Sequence, residues 1–422
     1  MQNNLYFNSL YKKYQKAEKS SLIICNPEEG ILSDIIPTAI ARPEEFKTLA
    51  MQDYSNLPKA DSEILKKTTI TLQKMHAGLG SSVKRDQHLK ENSKRSQLGS
   101  KGTDLFIPTS EGSISIAEAQ ILQAKQTANK RIYKKVNLQE FVNIETQEAV
   151  SLLWEGTNHI ENCEGFERKD PIFQEMFKTI SQDGELTVQR LAPAGHGYFG
   201  YKALLECFEG TVEDEIIAIG NGEDLNSSPD DKIFSWMAKS EIPLCMITTT
   251  KTAQDKKGGH ISIVKGEGGS DHITIVEKAQ AEASDQLAYF EKLGLRAGDK
   301  MSYFNTNIVL INTKALRALI KESMSDVDLE SFMEIITPDV IQNTKTQDGK
   351  KYIQLEGALG SVMLNFDKYI RINYNKQAVH FLNLDESERS NFFCPIKTMD
   401  DFKKIFINEK RFDQENFRIK SL

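Results

Sequence analysis

Two glycine-rich turns have residue types suited to binding a phosphate or a nucleotide base. The first, HAGLGSS at residues 76–82, follows the strand-like run TTITLQKM and contains Gly78 and Gly80. Glycine has no Cβ, so such a turn lets a ligand contact main-chain N–H groups. It lacks the GK[ST] ending of a P-loop and is not a GxGxxG dinucleotide motif. The turn therefore indicates a ligand at the carboxyl end of a strand without identifying it.

The second turn is APAGHG at residues 192–197. Pro193 stiffens it, and Gly195 and Gly197 flank a single imidazole, that of His196. Most isolated histidines are structural, but glycines on both sides make a ligand-binding role equally compatible with this sequence.

Acidic and amide side chains follow several strand-like runs. In IIAIGNGEDL a buried strand is followed by Asn221, Glu223 and Asp224. Carboxylates beside a phosphate site are the usual protein ligands of Mg²⁺. A polar turn that caps the next helix fits the same residues, so both interpretations stay open.

Further polar residues at strand ends have the chemistry of a sugar site. Glu277, Asn305, Asn307 and Glu356 could hydrogen-bond several hydroxyls together, although each alone is also typical of a turn or a cap. Lys397, in FFCPIKTMDDF, follows a proline and would be an ordinary surface lysine if considered alone.

The segment 83–103, VKRDQHLKENSKRSQLGSKGT, is a long polar connection between strand- and helix-like regions. Its six Lys and Arg residues outnumber its two acids. A long irregular connection inside a domain is usually either a functional loop or disordered. A solvated surface loop and a basic loop that meets a phosphate both fit the composition.

The elements that must position these residues alternate between strand and helix. The predicted strands are 69–75, 136–143, 215–221, 243–250, 260–266, 272–280, 305–312 and 350–356. Helical patterns occupy 113–130, 145–154, 171–182, 198–209, 230–239, 283–293, 314–324, 327–336 and 357–369. This alternation predicts an α/β fold with helices on both faces of a sheet. The run HISIVKGEGGSDHITIVEK predicts an inserted β-hairpin, so the sheet should be mixed.

Bulk composition narrows the class of protein. The 422 residues carry a net charge of -7, which gives no global basic field for nucleic acid. No apolar run has the length of a transmembrane helix, and the N-terminus lacks a signal-peptide core. Five scattered cysteines without a CxxC pair argue against a disulfide framework or a zinc site. We therefore expect a cytoplasmic, reducing location and no membrane partner.

Taken together and in order, the motifs resemble those of the eukaryotic-type UTP–glucose-1-phosphate uridylyltransferases (UDP-glucose pyrophosphorylases). The resemblance runs from about residue 68 to 398, and no single motif in it is decisive. The family patterns LNGGLGTS, PPGHGD, NIDNL, VKGG, VEIAQ, FNTNN, QLETAMG and PVKT correspond here to MHAGLGSS, APAGHGY, NGEDL, KKGG, VEKAQ, FNTNI, QLEGALG and PIKT. The resemblance implies a Rossmann-like, GT-A-type nucleotidyltransferase fold.

The resemblance also implies roles for individual residues. The nucleotide would be bound by Ala77, Gly78, Gly80, Gly195 and His196, with Gln189 as the possible uracil-reading glutamine. The sugar would be contacted by Asn221, Gly259, Glu277, Asn305 and Asn307, with Glu356 behind it. Lys397 would reach the phosphates. For the lysine of the glycine loop we favour Lys101, with Lys84 and Lys90 as rivals.

This sequence departs from the family pattern at two aspartates. Tyr198 follows the GHG turn, and Glu223 occupies the position of the Mg²⁺-binding aspartate, where either Glu223 or Asp224 would hold the metal. The β-helical tail of the eukaryotic enzymes is largely missing, since few residues follow Thr398. An oligomer built on that tail is therefore not expected from the resemblance.

The implied reaction is the Mg²⁺-dependent formation of UDP-glucose and pyrophosphate from UTP and glucose 1-phosphate. Another sugar 1-phosphate as substrate, and a non-catalytic or activator-dependent binding protein on the same fold, are the alternatives. We predict three regions: a mainly helical N-terminal appendage (1–65), a catalytic domain (66–375) and a short C-terminal segment with Lys397 (376–422). The appendage would either bind a protein partner or activator, or simply pack on the domain.

Overall fold

The structure is a computed structural model that describes most of the chain. The described residues are 2–16, 35–37, 49–78, 99–156, 163–252, 255, 258–265, 271–283, 285–296, 302–347 and 349–421. Among the predicted site residues, Gly80 and the rival lysines Lys84 and Lys90 lie outside these ranges.

The described helices and strands alternate along the chain. The helices are Gln2–Lys16, Ser62–Leu65, Lys101–Asp104, Ile116–Asn129, Gln147–Gly156, Gly197–Glu209, Asp231–Lys239, Lys278–Ala283, Leu287–Lys292, Thr313–Ser323, Leu329–Ile336, Leu359–Tyr374, Glu386–Phe392 and Met399–Phe402. The strands are β1 Ile35–Pro37, β2 Met51–Asp53, β3 Thr69–Met75, β4 Phe106–Thr109, β5 Gly112–Ser115, β6 Lys135–Val142, β7 Phe166–Arg168, β8 Ile172–Phe173, β9 Met176–Ile180, β10 Leu186–Pro193, β11 Ile216–Asn221, β12 Leu244–Thr250, β13 Gly259–Val264, β14 His272–Glu277, β15 Tyr303–Asn312, β16 Val340–Gln347, β17 Lys350–Gly357, β18 Val379–Leu384, β19 Phe412–Asp413 and β20 Arg418–Ile419.

Polar caps begin several of the helices. Ser115 accepts a hydrogen bond from the amide of Glu118, whose side chain bonds back to the Ser115 amide, a capping box that starts Ile116–Asn129. The side chains of Asp230, Asn312 and Asp328 cap the helices that follow them. Such caps satisfy first-turn N–H groups, so the helices begin at defined residues directly after the strand ends.

A large mixed sheet forms the centre of the fold. Its strand order is β2-β18-β12-β15-β11-β3-β6-β7. The strands β11, β3, β6 and β7 run parallel to one another, as do β12, β18 and β2, and β15 lies antiparallel between the two groups. The predicted hairpin is present as β13 and β14, which pair antiparallel, and β13 also pairs with β15. The predicted mixed α/β architecture is confirmed.

The two faces of the sheet are both buried. Side chains alternate along each strand, so Ile217 and Ile219 of β11 face one apolar core while Ile216 and Ala218 face another. The first core includes the helices Gly197–Glu209, Thr313–Ser323, Leu329–Ile336 and Leu359–Tyr374, and the second includes Ile116–Asn129 and Asp231–Lys239. With helices packed on both faces, functional residues collect at the strand ends.

A smaller antiparallel sheet, in the order β10-β9-β17-β16, lies beside the large one. Here the prediction of a helix at 171–182 is wrong, because residues 176–180 form β9, which pairs with β10 and β17. Met176, Phe177 and Ile180 have a helix-like spacing, but the strand buries Phe177 and Ile180 in the first core. Pairing with the adjacent β10 and with the distant β17 has overridden the local pattern.

The two ends of the chain both contribute to these layers. Within residues 1–65, the helix Gln2–Lys16 buries Tyr6, Phe7 and Leu10, and β2 pairs in parallel with β18 from the C-terminal segment. None of the helices in the described part of the chain is long and apolar enough to cross a membrane.

Candidate active site

The candidate site, called the cleft from here on, lies where three parallel strands end side by side. Asn221 of β11 pairs with Met75 of β3, and Met75 also pairs with Phe141 of β6. Because these strands are parallel, the loops after all three leave the same edge of the sheet. The glycine turn, the Asn221–Asp224 segment and Asn143 therefore meet at one place.

Hydrogen bonds between its backbone and neighbouring residues hold the glycine turn in position. Asn143 Nδ2 donates to the carbonyl oxygen of Ala77 over 2.6 Å, and the His76 amide donates to Phe141 over 3.0 Å. Ala77 is buried, whereas Gly78 is exposed and a Cβ there would meet no atom within 4 Å. Within the described residues the turn thus leaves backbone open at Gly78.

Lys101 enters the cleft from a short helix, Lys101–Asp104, that Ser100 caps. Its Nζ lies 3.7 Å from Oε1 of Glu223 and donates to the carbonyl oxygens of Ile396 and Lys397 over 3.3 and 3.4 Å. The Lys101 side chain is 13% exposed and that of Glu223 27% exposed. A lysine, a carboxylate and the C-terminal segment thus converge at one point.

The adjacent acids Glu223 and Asp224 face different surroundings. Asp224 is fully buried, and its two oxygens accept hydrogen bonds from the amides of Asn226 and Cys394 over 3.0 Å each. Burial raises the pKa of Asp224, while the nearby Lys74 opposes that shift. Both predicted metal ligands are next to the cleft, but Asp224 serves the packing of the C-terminal segment and Glu223 is the carboxylate left at the surface.

Lys74 lies beneath the cleft at the end of β3. Its Nζ is buried and donates to Ser227 O, Ser227 Oγ and Ser228 Oγ at 2.8 to 3.0 Å. Burial lowers the pKa of Lys74, and the charge of Asp224 raises it. These bonds attach the loop after β11 to the end of β3. Because Glu223 is part of that loop, they also fix its orientation.

Lys397 belongs to a second charged group at the same cleft. Its Nζ lies 3.7 Å from Asp255 Oδ1 and 5.3 Å from the ring centre of Phe304. Asp255 also accepts a hydrogen bond from Arg389 over 2.9 Å and, through its other oxygen, from the amide and hydroxyl of Thr252. Burial lowers the pKa of Lys397 while Asp255 raises it. Asp255 therefore orients the cation that the family resemblance assigns to phosphate binding.

The GHG turn packs on the end of β17 and is the wall that the resemblance assigns to uridine. Gly195 has φ +80°, and a Cβ there would lie 2.6 Å from the carbonyl oxygen of Gly357, so only glycine fits without strain. His196 Nδ1 accepts a hydrogen bond from the amide of Leu359 over 2.9 Å. Burial lowers the pKa of His196 to about 4, so the ring is neutral near pH 7 and carries its proton on Nε2.

Three asparagines lie at the bulge in β15. The register of β15 against β12 shifts between Ile308 and Asn305, and Asn307 adopts φ +61°. Asn305 Nδ2 donates to Asn307 Oδ1 over 3.0 Å, and Asn221 Nδ2 donates to Thr306 O over 3.4 Å. A left-handed non-glycine residue in a bulged strand is a strained arrangement typical of ligand sites. These residues bring several amide groups together, although Asn305 is buried and both of its amide atoms already bond to Asn307.

Two glutamates complete the predicted sugar set. Gly259 pairs with Glu277 across the hairpin, and a Cβ on Gly259 would lie 2.5 Å from Glu277 Oε1. Burial raises the pKa of Glu277 to about 7. Glu356 of β17 accepts a hydrogen bond from Asn343 over 3.0 Å, and burial raises its pKa as well. Gln189, in contrast, is exposed on β10 in the smaller sheet.

Asp255, Arg389, Lys74 and Asn143 belong to this site but do not stand out in the sequence. Each acts on a partner distant in sequence, and each residue type is common on protein surfaces. Asp255 could have been found from its position just before the KKGG motif. Lys74 could have been found because it is the one charged residue in the predicted strand 69–75.

The fold is Rossmann-like, of the type found in nucleotidyltransferases, and the candidate site lies at its strand ends. The chain is similar to UDP-glucose pyrophosphorylase from Leishmania major, with a TM-score of 0.65 and 20% identity over 98% of this chain and 81% of that one. It is also similar to a structure described as UDP-glucose phosphorylase from Trypanosoma brucei, with a TM-score of 0.63 and 19% identity over 88% of this chain and 73% of that one.

Residues 144–420 match the sequence profile of the UTP–glucose-1-phosphate uridylyltransferase family, and the chain belongs to this family. The enzyme of that name from Encephalitozoon cuniculi is 29% identical over 46% of this chain and 37% of its own length. UTP–glucose-1-phosphate uridylyltransferase 2 of Dictyostelium discoideum is 32% identical over 43% of this chain and 32% of its own. The chain thus matches about a third of the length of these relatives. The family predicted from the motifs is confirmed.

The contact between His196 and Leu359 predicts a histidine that does not titrate near neutral pH. A protonated Nδ1 cannot accept the Leu359 N–H, and burial disfavours the charged ring. We expect the NMR shift of His196 Cε1–H to stay constant from pH 8 to about pH 5, with the signal assigned through His196→Gln. A midpoint near 6.5, the ordinary value, would contradict this geometry.

Asp255→Asn tests the second charged group. Burial opposes ionisation of Asp255, but the hydrogen bond and charge of Arg389 outweigh it and hold the pKa below its ordinary value. The variant leaves Arg389, 12% exposed, without its counter-charge, and we expect a loss of about 3 kcal/mol in unfolding free energy at pH 7. Denaturant unfolding measures it, with the exposed Asp183→Asn as the control.

The sign of the pH dependence gives a second check on Asp255. A depressed carboxyl pKa stabilises the fold above the unfolded value of about 3.9, and this contribution disappears as pH falls through the folded value. The difference between wild type and Asp255→Asn should therefore be constant from pH 7 to 5 and shrink below about pH 4. A difference that is already absent at pH 7 would show that the pair does not stabilise the fold.

Proposed function

We propose that this protein is a UTP–glucose-1-phosphate uridylyltransferase, which forms UDP-glucose and pyrophosphate. The observation that carries the proposal is the convergence of Lys101, Glu223 and the Lys397 segment at the strand ends, although Lys101 and Lys397 are 296 positions apart. Lys101 beside Glu223 and Lys397 beside Asp255 supply two cations, which suits a reaction that must bring two phosphate anions together.

The chemistry needs no covalent intermediate with the protein. A phosphate oxygen of glucose 1-phosphate forms a bond to the α-phosphorus of UTP. The bond from that phosphorus to the oxygen bridging to the β-phosphate breaks, and pyrophosphate leaves with the electron pair. Lys101 would offset the charge of the triphosphate and Lys397 that of the sugar phosphate, so catalysis rests on positioning and charge neutralisation.

The remaining predicted residues would take the roles that the family resemblance gives them. The open backbone at Gly78 and the wall at Gly195 and His196 would bind the uridine. The amides of Asn221, Asn305 and Asn307 and the carboxylate of Glu277 would bind glucose hydroxyls. A related protein, a Leishmania major UDP-glucose pyrophosphorylase variant solved in complex with UDP-glucose, has a TM-score of 0.64 and 19% identity to this chain.

Mg²⁺ is part of the proposal and fits the donor set. In the described part of the chain no three His, Cys, Asp or Glu side chains come together as a metal cluster. Mg²⁺ at nucleotide sites is commonly held by one or two carboxylates, with phosphate oxygens and water as further ligands. Glu223 is the carboxylate that would hold it here, and Lys101 would exchange this partner for the triphosphate. The ion would supply further neutralisation of the phosphate charge.

A uridine-nucleotide-binding protein without transferase activity is the second candidate. The observation that favours it is that Tyr198 and Glu223 replace the aspartates of the family motifs. Tyr198 is buried beside the ring of Tyr6, at 5.5 Å between centres, so that position supplies no side chain to the cleft.

Pyrophosphate release by the purified protein with Mg²⁺, UTP and glucose 1-phosphate tests the proposal. We expect release with this pair and not with ATP or GTP, and weaker or no release with galactose 1-phosphate or N-acetylglucosamine 1-phosphate. Lys101→Met keeps the aliphatic stem but removes the charge, and should lower kcat/KM about 100-fold. The exposed Lys130→Met, at the end of the helix Ile116–Asn129, is the matched control.

Lys101→Met turnover within a few-fold of wild type would contradict the assigned role of this lysine. Absence of pyrophosphate release under all conditions, together with a melting temperature raised by UTP or UDP-glucose, would support the binding protein instead.

A further inference from the structure

We propose that the N-terminal helix Gln2–Lys16 is part of the nucleotide-sugar site, and that Tyr6 is a positioning residue that fastens the GHG turn to the strand end carrying Glu356. This inference rests on the proposed function for its effect on substrate. It assigns a role to a helix that lies outside the residues 144–420 matched by the family profile.

The carbonyl oxygen of Ala194 is the atom through which Tyr6 acts. It accepts a hydrogen bond from the amide of Gly357 over 3.0 Å and a second from the hydroxyl of Tyr6 over 3.3 Å. Ala194 directly precedes Gly195 and His196, and Gly357 directly follows Glu356. The Tyr6 hydroxyl therefore reinforces the bond that joins two walls of the site.

Two glycines make room for this hydroxyl. A Cβ on Gly197 would lie 2.7 Å from the Tyr6 hydroxyl oxygen, and one on Gly357 would lie 2.3 Å from it. Tyr6 thus helps to restrict both positions to glycine, together with the Gly357 backbone at Gly197 and with Pro338 at Gly357. The hydroxyl lies between two backbone segments of the site and contacts both. A helix that only packed on the surface would make no such contact with the site.

The rest of the helix holds Tyr6 in place. Phe7 stacks on Phe177 of β9 at 4.7 Å between ring centres. Lys13 Nζ donates to the carbonyl oxygen of Thr337 over 2.6 Å, at the segment that leads into β16. The helix thus spans from the GHG turn to the smaller sheet.

The chemical state of Tyr6 suits the role. Tyr6 is fully buried, and burial together with the charge of groups that include Tyr201 and Glu356 raises its pKa well above the ordinary value. The phenol therefore stays protonated and remains a donor to Ala194 O throughout the pH range in which the protein is folded and assayed.

The neighbouring Tyr201 supplies a matched control. Its ring lies 5.0 Å from that of Tyr6, and it is equally buried. Within the described residues its hydroxyl has no hydrogen-bond partner. Tyr6→Phe and Tyr201→Phe therefore remove the same atom from adjacent core rings, but only the first removes a bond to the site.

Amide hydrogen exchange of the full-length protein without ligand tests the fastening directly. We expect Tyr6→Phe to speed exchange at Gly357 and Leu359 about 5-fold, since a net hydrogen bond of ordinary strength is lost. Tyr201→Phe should leave both amides unchanged. Equal exchange in the two variants would overturn the fastening role, whatever the protein binds.

Substrate kinetics then test the functional part. Tyr6→Phe should raise KM for UTP and the Kd for UDP-glucose about 3- to 10-fold with kcat within 2-fold of wild type, because the walls that bind the nucleotide are less well ordered before binding. A lower melting temperature with unchanged KM and Kd would mean that Tyr6 only packs. If wild type neither binds UDP-glucose nor releases pyrophosphate, the proposed function fails, while the exchange comparison still decides the fastening.

Discussion

The close packing of Gly222 on the end of β3 is the contact on which the cleft depends. A Cβ on Gly222 would lie 2.4 Å from the carbonyl oxygen of Met75, and one on Gly102 would lie 2.5 Å from both Gly222 O and His76 Cε1. Three backbone segments thus meet with no space for a side chain between them. Lys101 and Glu223 are the neighbours of these glycines, and their separation of 3.7 Å is a consequence of this packing.

Buried polar groups under the cleft hold that packing in place. Lys74 ties the loop after β11 to β3, and Asp224 ties the same loop to the C-terminal segment through the Cys394 amide. Burying a charged group costs free energy unless its hydrogen bonds are satisfied. Removing one hydrogen-bond partner would leave the remaining group buried and unpaired, with its full desolvation cost. The C-terminal segment is therefore positioned by the same residues that orient Glu223, which explains how Lys397 reaches the cleft.

Local sequence determined much of this fold. Residues 69–75 were predicted as a strand and form β3, and the β13–β14 hairpin follows from its glycine-rich connection. β18 was not predicted, because its pairing with the distant β12 decides that segment, and 171–182 was assigned to a helix although β9 pairs with the adjacent β10 and the distant β17. β16 forms a hairpin with the adjacent β17 and was missed because its sequence, VIQNTKTQ, is mostly polar. At the site, sequence placed Glu223 and Asp224 together as metal candidates. Only the three-dimensional packing shows that both carboxylate oxygens of Asp224 accept backbone hydrogen bonds, whereas Glu223 faces Lys101.

A crystal structure of the protein with UDP-glucose and Mg²⁺ would show directly where the nucleotide sugar binds. We expect the uracil against Gly78 and His196, the glucose among Asn221, Asn305 and Asn307, and the diphosphate at Lys101 and Lys397. UDP-glucose bound at another surface, or a cleft that stays empty at saturating ligand, would contradict this placement.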